Sequence, residues 1–173
     1  MRPRRIALIG NGGAGKSTAA KRLSLAMDLP LFVVDEIQFQ PGWERADVKE
    51  VAEWHARIMQ LEEWIIDGWG SWDLMDARFA HADQILFFDY PLEEHLRIAR
   101  IREEESRLGT CVCEPPGCRY ADIGELMEET LRRVDRELLP ELRKRFEKMP
   151  EKVTTIRAIG EINATLAVFE RMR

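Results

Sequence analysis

Gly10-Asn11-Gly12-Gly13-Ala14-Gly15-Lys16-Ser17 satisfies the pattern G-x-x-x-x-G-K-[ST] at every fixed position. Glycines let the backbone wrap tightly, so that several N–H groups aim at one anion. A helix starting near Gly15 adds its positive end to the same spot. In this pattern the lysine reaches the β- and γ-phosphates of a nucleotide and the hydroxyl ligates Mg²⁺. Gly10, Gly12, Gly13, Ala14, Gly15, Lys16, Ser17 and Thr18 are therefore the expected cradle for Mg²⁺–ATP, with Ser17 on the metal. The plainer reading, a glycine-rich turn with a surface lysine, fits poorly with an apolar strand before the loop and helical spacing after it.

Three further acids, Asp35, Asp67 and Asp89, each close a short apolar run. An acid there can hold a cation, orient an acceptor hydroxyl, or simply cap loop N–H groups. Arg97, Arg100 and Arg102 precede a loop containing Pro115-Pro116-Gly117, and Arg107, Arg119, Arg132 and Arg133 follow. Phosphoryl transfer spreads negative charge over equatorial oxygens, which guanidinium forks stabilise. The competing reading is a solvated helix face paired with Glu93, Glu94 and Glu103–Glu105. Cys111, Cys113 and Cys118 lie in the loop, and three sulfurs without a clear fourth ligand read as thiols more readily than as a zinc site. Trp43, Trp69 and Trp72 are candidates to stack on a base or close over a sugar, whereas Trp54 and Trp64 read as core. His55, His81 and His95 are scattered without metal spacing and receive no role.

Residues 4–9, 31–34, 64–66, 84–88 and 153–156 are short apolar runs that read as buried strands. Helical spacing runs from Gly15 to Met27, and again from Asp47, an N-cap with Glu50 placed to close a capping box. The stripe of that second helix is Val48, Val51, Ala52, Ile58 and Met59. Further helices are expected over about 92–108, 122–148 with a kink or restart at Pro140, and 161–172. Strands apolar on both faces and alternating with helices make a parallel sheet covered on two sides, an α/β fold. Ligands in such sheets sit at the carboxyl ends of the strands, where Gly10, Asp35, Asp67 and Asp89 all fall.

A chain of 173 residues with 45% hydrophobic content makes one domain with a full core. No apolar run approaches the length that spans a bilayer, and the opening Arg4-Arg5-Ile6-Ala7-Leu8-Ile9 breaks off at the polar loop too soon for a signal peptide. A cytoplasmic location is expected. With 26 basic and 31 acidic residues the net charge is −5, which disfavours nucleic-acid wrapping. The expected partner is a small-molecule phosphoryl acceptor, with no nucleic acid and no membrane, and the chain is expected to be a monomer or homodimer.

The order of phosphate loop, Val34-Asp35, Pro41-Gly42-Trp43, Glu63-Trp64-Ile65-Ile66-Asp67-Gly68 and Ala82-Asp83…Phe88-Asp89-Tyr90-Pro91 resembles the adenylate-kinase-like P-loop kinases. Within that group it looks most like the small adenylate-kinase-related proteins often labelled DNA topology modulation proteins. The resemblance covers roughly the first 60% of the chain, joined later by Glu128-Glu129-Thr130-Leu131-Arg132-Arg133. It implies a three-layer P-loop kinase fold, a five-stranded parallel sheet flanked by helices, with an acceptor-binding excursion at 36–63 and a lid at 106–122. It implies an ATP- and Mg²⁺-dependent phosphotransferase acting on a nucleotide, a nucleoside or another small hydroxylated acceptor; a non-catalytic nucleotide-binding regulator is the alternative. By resemblance Asp67 holds Mg²⁺ through water, with Asp89 competing by pattern alone, and Asp35 faces the acceptor. Arg97 and Arg100 stand close to the family's two catalytic arginines, and the loop with Arg157, before Gly160, flanks the nucleobase. The family's two acceptor-phosphate arginines would fall within Glu36–Gln40 and Gly68–Trp72, and neither stretch contains one. Arg45 and Arg57 are the candidate substitutes. No N-K-x-D strand end is present, which argues against a guanine-nucleotide switch.

Overall fold

A computed structural model describes residues 2–112 and 114–172. The chain runs β1 (Arg5–Gly10), α1 (Lys16–Met27), β2 (Leu31–Val33), α2 (Val34–Gln38), β3 (Phe39–Gln40), β4 (Glu44–Arg45), α3 (Val48–Met59), β5 (Trp64–Asp67) and α4 (Trp72–His81). It continues through β6 (Gln84–Phe88), α5 (Leu92–Arg107), α6 (Gly124–Arg133), α7 (Leu139–Phe146), β7 (Val153–Ile156) and α8 (Ile162–Glu170). Five strands form one parallel sheet in the order β2-β5-β1-β6-β7, and β3 pairs with β4 as a small antiparallel hairpin.

The alternation of β1 divides the core. Ile6 and Leu8 point to a layer with Leu23, Met27, Leu166 and Phe169 of α1 and α8. Ala7 and Ile9 point to the other, with Ile58, Met75, Phe79, Leu142 and Phe146 of α3, α4 and α7. This is the expected α/β architecture, helices covering both faces of a five-stranded parallel sheet.

Several local expectations are corrected. β2 stops at Val33, and Asp35 lies in the first turn of α2 rather than on the strand. Val48 is 81% exposed, so the buried stripe of α3 rests instead on His55 and Ile58; Asp47 does cap the helix, accepting from the N–H groups of Lys49 and Glu50. The helical stretch after the lid begins at Gly124 and is broken at Val134–Leu138 by a π turn that leads into α7. Pro140 explains the break: it has no N–H and its ring crowds the carbonyl four residues back, that of Arg136 within the widened turn. Helix α4 is not announced by hydrophobic spacing, because Arg78 interrupts its inward face of Met75 and Phe79 at a fully buried position.

Candidate active site

The register explains which residues meet. β5 lies between β2 and β1 with Asp67 opposite both Val33 and Leu8, so Asp67 stands between the start of α2 and the phosphate loop. Gly10 leaves β1 at φ 149°, and a Cβ there would lie 2.3 Å from the Phe88 carbonyl oxygen, so only glycine turns the chain out of the sheet at this point. Gly15, at φ 79°, then delivers the chain into the first turn of α1.

Four carbonyls of the loop are each engaged by a side-chain donor. Trp69 Nε1–H donates to Gly10 O at 2.8 Å, and Lys16 Nζ to Asn11 O at 2.7 Å. His95 Nδ1 lies 2.7 Å from Gly12 O, where the ring must be the donor, and Tyr90 Oη donates to Ala14 O at 3.1 Å. Asn11, fully buried, fixes the loop from the side by donating to Leu131 O and accepting from Gly12 N–H. With these carbonyls engaged by side chains, the amides beyond Gly12 can face an anion at the start of α1. His95 and Tyr90 stack at 5.4 Å, and burial lowers the pKa of His95, which favours the neutral ring.

Ser17 Oγ donates to Asp67 Oδ2 at 2.6 Å, while Asp67 Oδ1 is buried without a hydrogen-bond partner. A hydroxyl beside a carboxylate with an uncommitted oxygen suits a hard divalent cation. Burial raises the pKa of Asp67, opposed by Lys16, the Ser17 hydrogen bond, Arg78 and Arg102. Burial lowers that of Lys16. Burial and the neighbouring Asp67 push Asp35 up to about 6, with Lys16 and Arg102 pulling it back. Lys16, Asp35, Asp67 and Ser17 therefore form one interacting cluster. Thr18 sits on the exposed side of α1.

The arginines sort by helix geometry. At about 100° per residue, Arg102 and Ser106 fall within about 20° of His95 on α5, one to either side, and Arg97 and Arg100 about 140–160° from it. Accordingly His95 and Ser106 are buried, and Arg102 acts on Lys16, Asp35 and Asp67 while its guanidinium lies 5.9 Å from the Tyr120 ring centre. Arg97 pairs with Glu94 and Arg100 with Glu128 on the exposed side. Arg157 lies 3.7 Å from Asp89, also largely exposed. Asp89 itself is 7% exposed and accepts two hydrogen bonds from Arg143, at 3.0 and 2.6 Å, which makes it an ion-pair anchor between β6 and α7.

Residues of the expected lid rest on the β3–β4 hairpin. Gly42 N–H donates to Gly117 O at 2.9 Å, Trp43 Nε1–H to Arg119 O at 2.9 Å, and the Cys118 thiol to Gln40 O at 3.2 Å. The Trp43 ring packs at 5.3 Å from both Phe39 and Tyr120. Beneath lies a cavity of about 30 Å³ lined by Ser17, Lys21, Val33, Asp35, Glu36, Glu114, Pro115 and Tyr120. That is room for about one water molecule. Trp69 is held by Gly10 O, and Trp72 is covered by Arg145 at 4.2 Å. Arg45 lies over Phe39, and Arg57 is exposed beside Glu53. Cys113 lies outside the described residues, among which no three metal-ligating side chains cluster. A much larger concavity, about 930 Å³, lies at the opposite end of the sheet, by the amino-terminal ends of β1, β6 and β7. Of its cations, Arg4 pairs with Glu62 and Glu63, and Arg5 with Asp83.

Three buried residues were invisible to motif reading. Arg78 is fully buried on α4, donating from Nη1 to Gly68 O at 2.6 Å and from Nε to His55 Nε2 at 3.3 Å. Burial lowers its pKa to about 10, with Asp67 opposing, and burial together with Arg78 lowers His55 to about 4. His95 is the third. The only available signal was a charged or histidine residue at core spacing in an otherwise amphipathic helix.

No protein-family model and no curated protein sequence matches the chain. Solved structures do. A shikimate kinase from Bacteroides thetaiotaomicron aligns over 98% of both chains at 15% identity, with a TM-score of 0.55. A gluconokinase from Sinorhizobium meliloti 1021 aligns over 99% of this chain and 94% of its own, at 15% identity and a TM-score of 0.52. The fold is thus that of small P-loop kinases, and no helix among the described residues is long and apolar enough to cross a membrane.

Proposed function

We propose that this chain is a Mg²⁺–ATP-dependent phosphotransferase acting on a small hydroxylated acceptor. The observation that carries the reading is the phosphate loop, with the Gly10, Gly12 and Ala14 carbonyls held by Trp69, His95 and Tyr90, directly beside the Ser17–Asp67 pair. The backbone from Gly13 to Thr18 would hold the triphosphate and Lys16 would move from Asn11 O onto it. Ser17, and Asp67 through water, would hold Mg²⁺, which supplies charge neutralisation of the phosphates when bound. Asp35 faces the same cavity, and its raised pKa suits a group that orients an acceptor hydroxyl or takes its proton. Arg102 is the guanidinium best placed to meet the transferring group. The acceptor-side arginines Arg45 and Arg57 are both engaged at the surface, which favours an acceptor other than a nucleoside monophosphate. Likeness to a shikimate kinase and a gluconokinase supports the same class of small, hydroxylated acceptor.

The test is calorimetry of ATP with Mg²⁺, paired with turnover against a panel of polyols, sugars, nucleosides and nucleotides. Wild type should bind and show acceptor-dependent ATP loss. Lys16→Ala should lose binding or transfer by several kcal/mol, as expected of a principal charge clamp. Equal behaviour of the two proteins refutes the reading, and tight binding without acceptor-dependent product assigns the chain a non-catalytic role.

A further inference from the structure

A buried guanidinium is expensive unless its hydrogen bonds do something that an apolar side chain cannot. Arg78 is fully buried on α4, and its two hydrogen bonds reach in different directions: to His55 on α3 and to the Gly68 carbonyl just beyond Asp67. Gly68 is followed by Trp69, whose indole N–H holds Gly10 O at the first turn of the phosphate loop. Gly68 N–H is in turn bound to Leu8 O on β1. These contacts form an unbroken path from the helix of the acceptor-side excursion to the phosphate loop: His55, Arg78, Gly68, Trp69, Gly10.

The local geometry leaves little slack in that path. Gly68 has φ 116°, and a Cβ on it would stand 3.1 Å from Val34 Cβ, so glycine is required where the chain turns from Asp67 to Trp69. Arg78 is the donor that receives it. His55, 2% exposed and neutral over the ordinary pH range, has Nε2 available as acceptor for Arg78 Nε–H, which fixes the plane of the guanidinium. A lysine in place of Arg78 would carry all its donors on one nitrogen and could not reach both partners in a fixed plane, as Nε and Nη1 do.

We propose that Arg78 is a positioning residue, oriented by His55, that sets the backbone from Asp67 to Trp69 and so places the Asp67 carboxylate and the Trp69 clamp on the phosphate loop. Its geometry stands on the contacts above; its consequence for Mg²⁺ rests on the phosphotransferase reading.

The experiment compares wild type with His55→Phe, His55→Gln and Arg78→Met. Phenylalanine removes the acceptor for Arg78 Nε–H, whereas glutamine restores one. The first readout is the Trp69 indole N–H resonance in protein without nucleotide, assigned with Trp69→Phe, and its exchange with solvent. His55→Phe should shift the resonance and speed its exchange at least tenfold, and His55→Gln should return it to within about twofold of wild type. The second readout is the ratio of affinities for a non-hydrolysable ATP analogue with and without Mg²⁺. Arg78→Met should reduce that ratio at least tenfold and His55→Phe severalfold, with His55→Gln again restoring it. If Arg78→Met does not fold, the two His55 variants decide. An unmoved Trp69 resonance in folded His55→Phe overturns the proposal, and so does an unchanged Mg²⁺ ratio where wild type binds. Wild type that binds no nucleotide under either condition refutes the phosphotransferase reading instead, and the Trp69 arm alone then decides the relay.

Discussion

Replacing Asp35 with asparagine should stabilise the protein while removing a group the reaction needs. The carboxylate is pushed up from 3.8 to about 6, chiefly by burial and then by Asp67 across the cleft. In the unfolded chain it returns to its ordinary value. Below pH 4 it is protonated in both states and contributes nothing. Between pH 4 and 6 the folded state keeps a proton that the unfolded state has lost, so stability falls as pH rises; above 6 the whole penalty is in place. At about 1.4 kcal/mol per pKa unit the full penalty is about 3 kcal/mol. Partial solvent access argues for a measured value of about 1–3 kcal/mol. Asparagine keeps the shape and carries no charge. Urea unfolding without nucleotide should therefore find Asp35→Asn more stable than wild type by about 1–3 kcal/mol at pH 8, with the gap closing towards pH 4. In turnover assays the same variant should bind Mg²⁺–ATP normally and lose roughly 10²- to 10⁴-fold in acceptor-dependent rate. A variant no more stable than wild type at pH 8, or a gap of equal size at pH 4 and 8, refutes the electrostatic reasoning.

Asp67→Asn should weaken nucleotide binding only when Mg²⁺ is present. Asp89→Asn should leave the Mg²⁺ dependence intact and lower stability by about 1–3 kcal/mol through the lost Arg143 pairing. Calorimetry and denaturation on the same two proteins separate these outcomes. Arg102→Met should slow transfer more than Arg97→Met or Arg100→Met, because only Arg102 lies on the α5 face with His95 and Ser106; single-turnover rates at saturating ATP would show the order. Trp43→Phe removes the indole bond to Arg119 O, worth about 1 kcal/mol, so hydrogen exchange over 114–122 should speed about fivefold, and unchanged exchange would refute the hairpin–lid contact as a latch.

Much of this protein is legible along the chain because the signals are local. The phosphate loop is eight consecutive residues whose chemistry depends on their own backbone, and the strands are runs of apolar residues that must be buried on both faces. The Asp47 cap and the disruption near Pro140 follow from hydrogen bonds that neighbours make or cannot make. Other features depend on packing between elements distant in sequence. Asp35 left its expected strand because α2 begins one residue earlier, a choice made by Val34 entering the core beside Gly68. Which arginine of α5 faces the cleft depends on helix rotation, and that rotation is set by His95 and Ser106 entering the interior. Asp89 and Asp67 both close apolar strands, yet only the strand order, with β5 and β6 on opposite sides of β1, brings Asp67 to Ser17 and Asp89 to Arg143. Arg78 is the clearest case. As a letter in the sequence it is a charge that spoils a helix stripe; only the approach of α3, α4 and the end of β5 gives its guanidinium a carbonyl and an imidazole to hold.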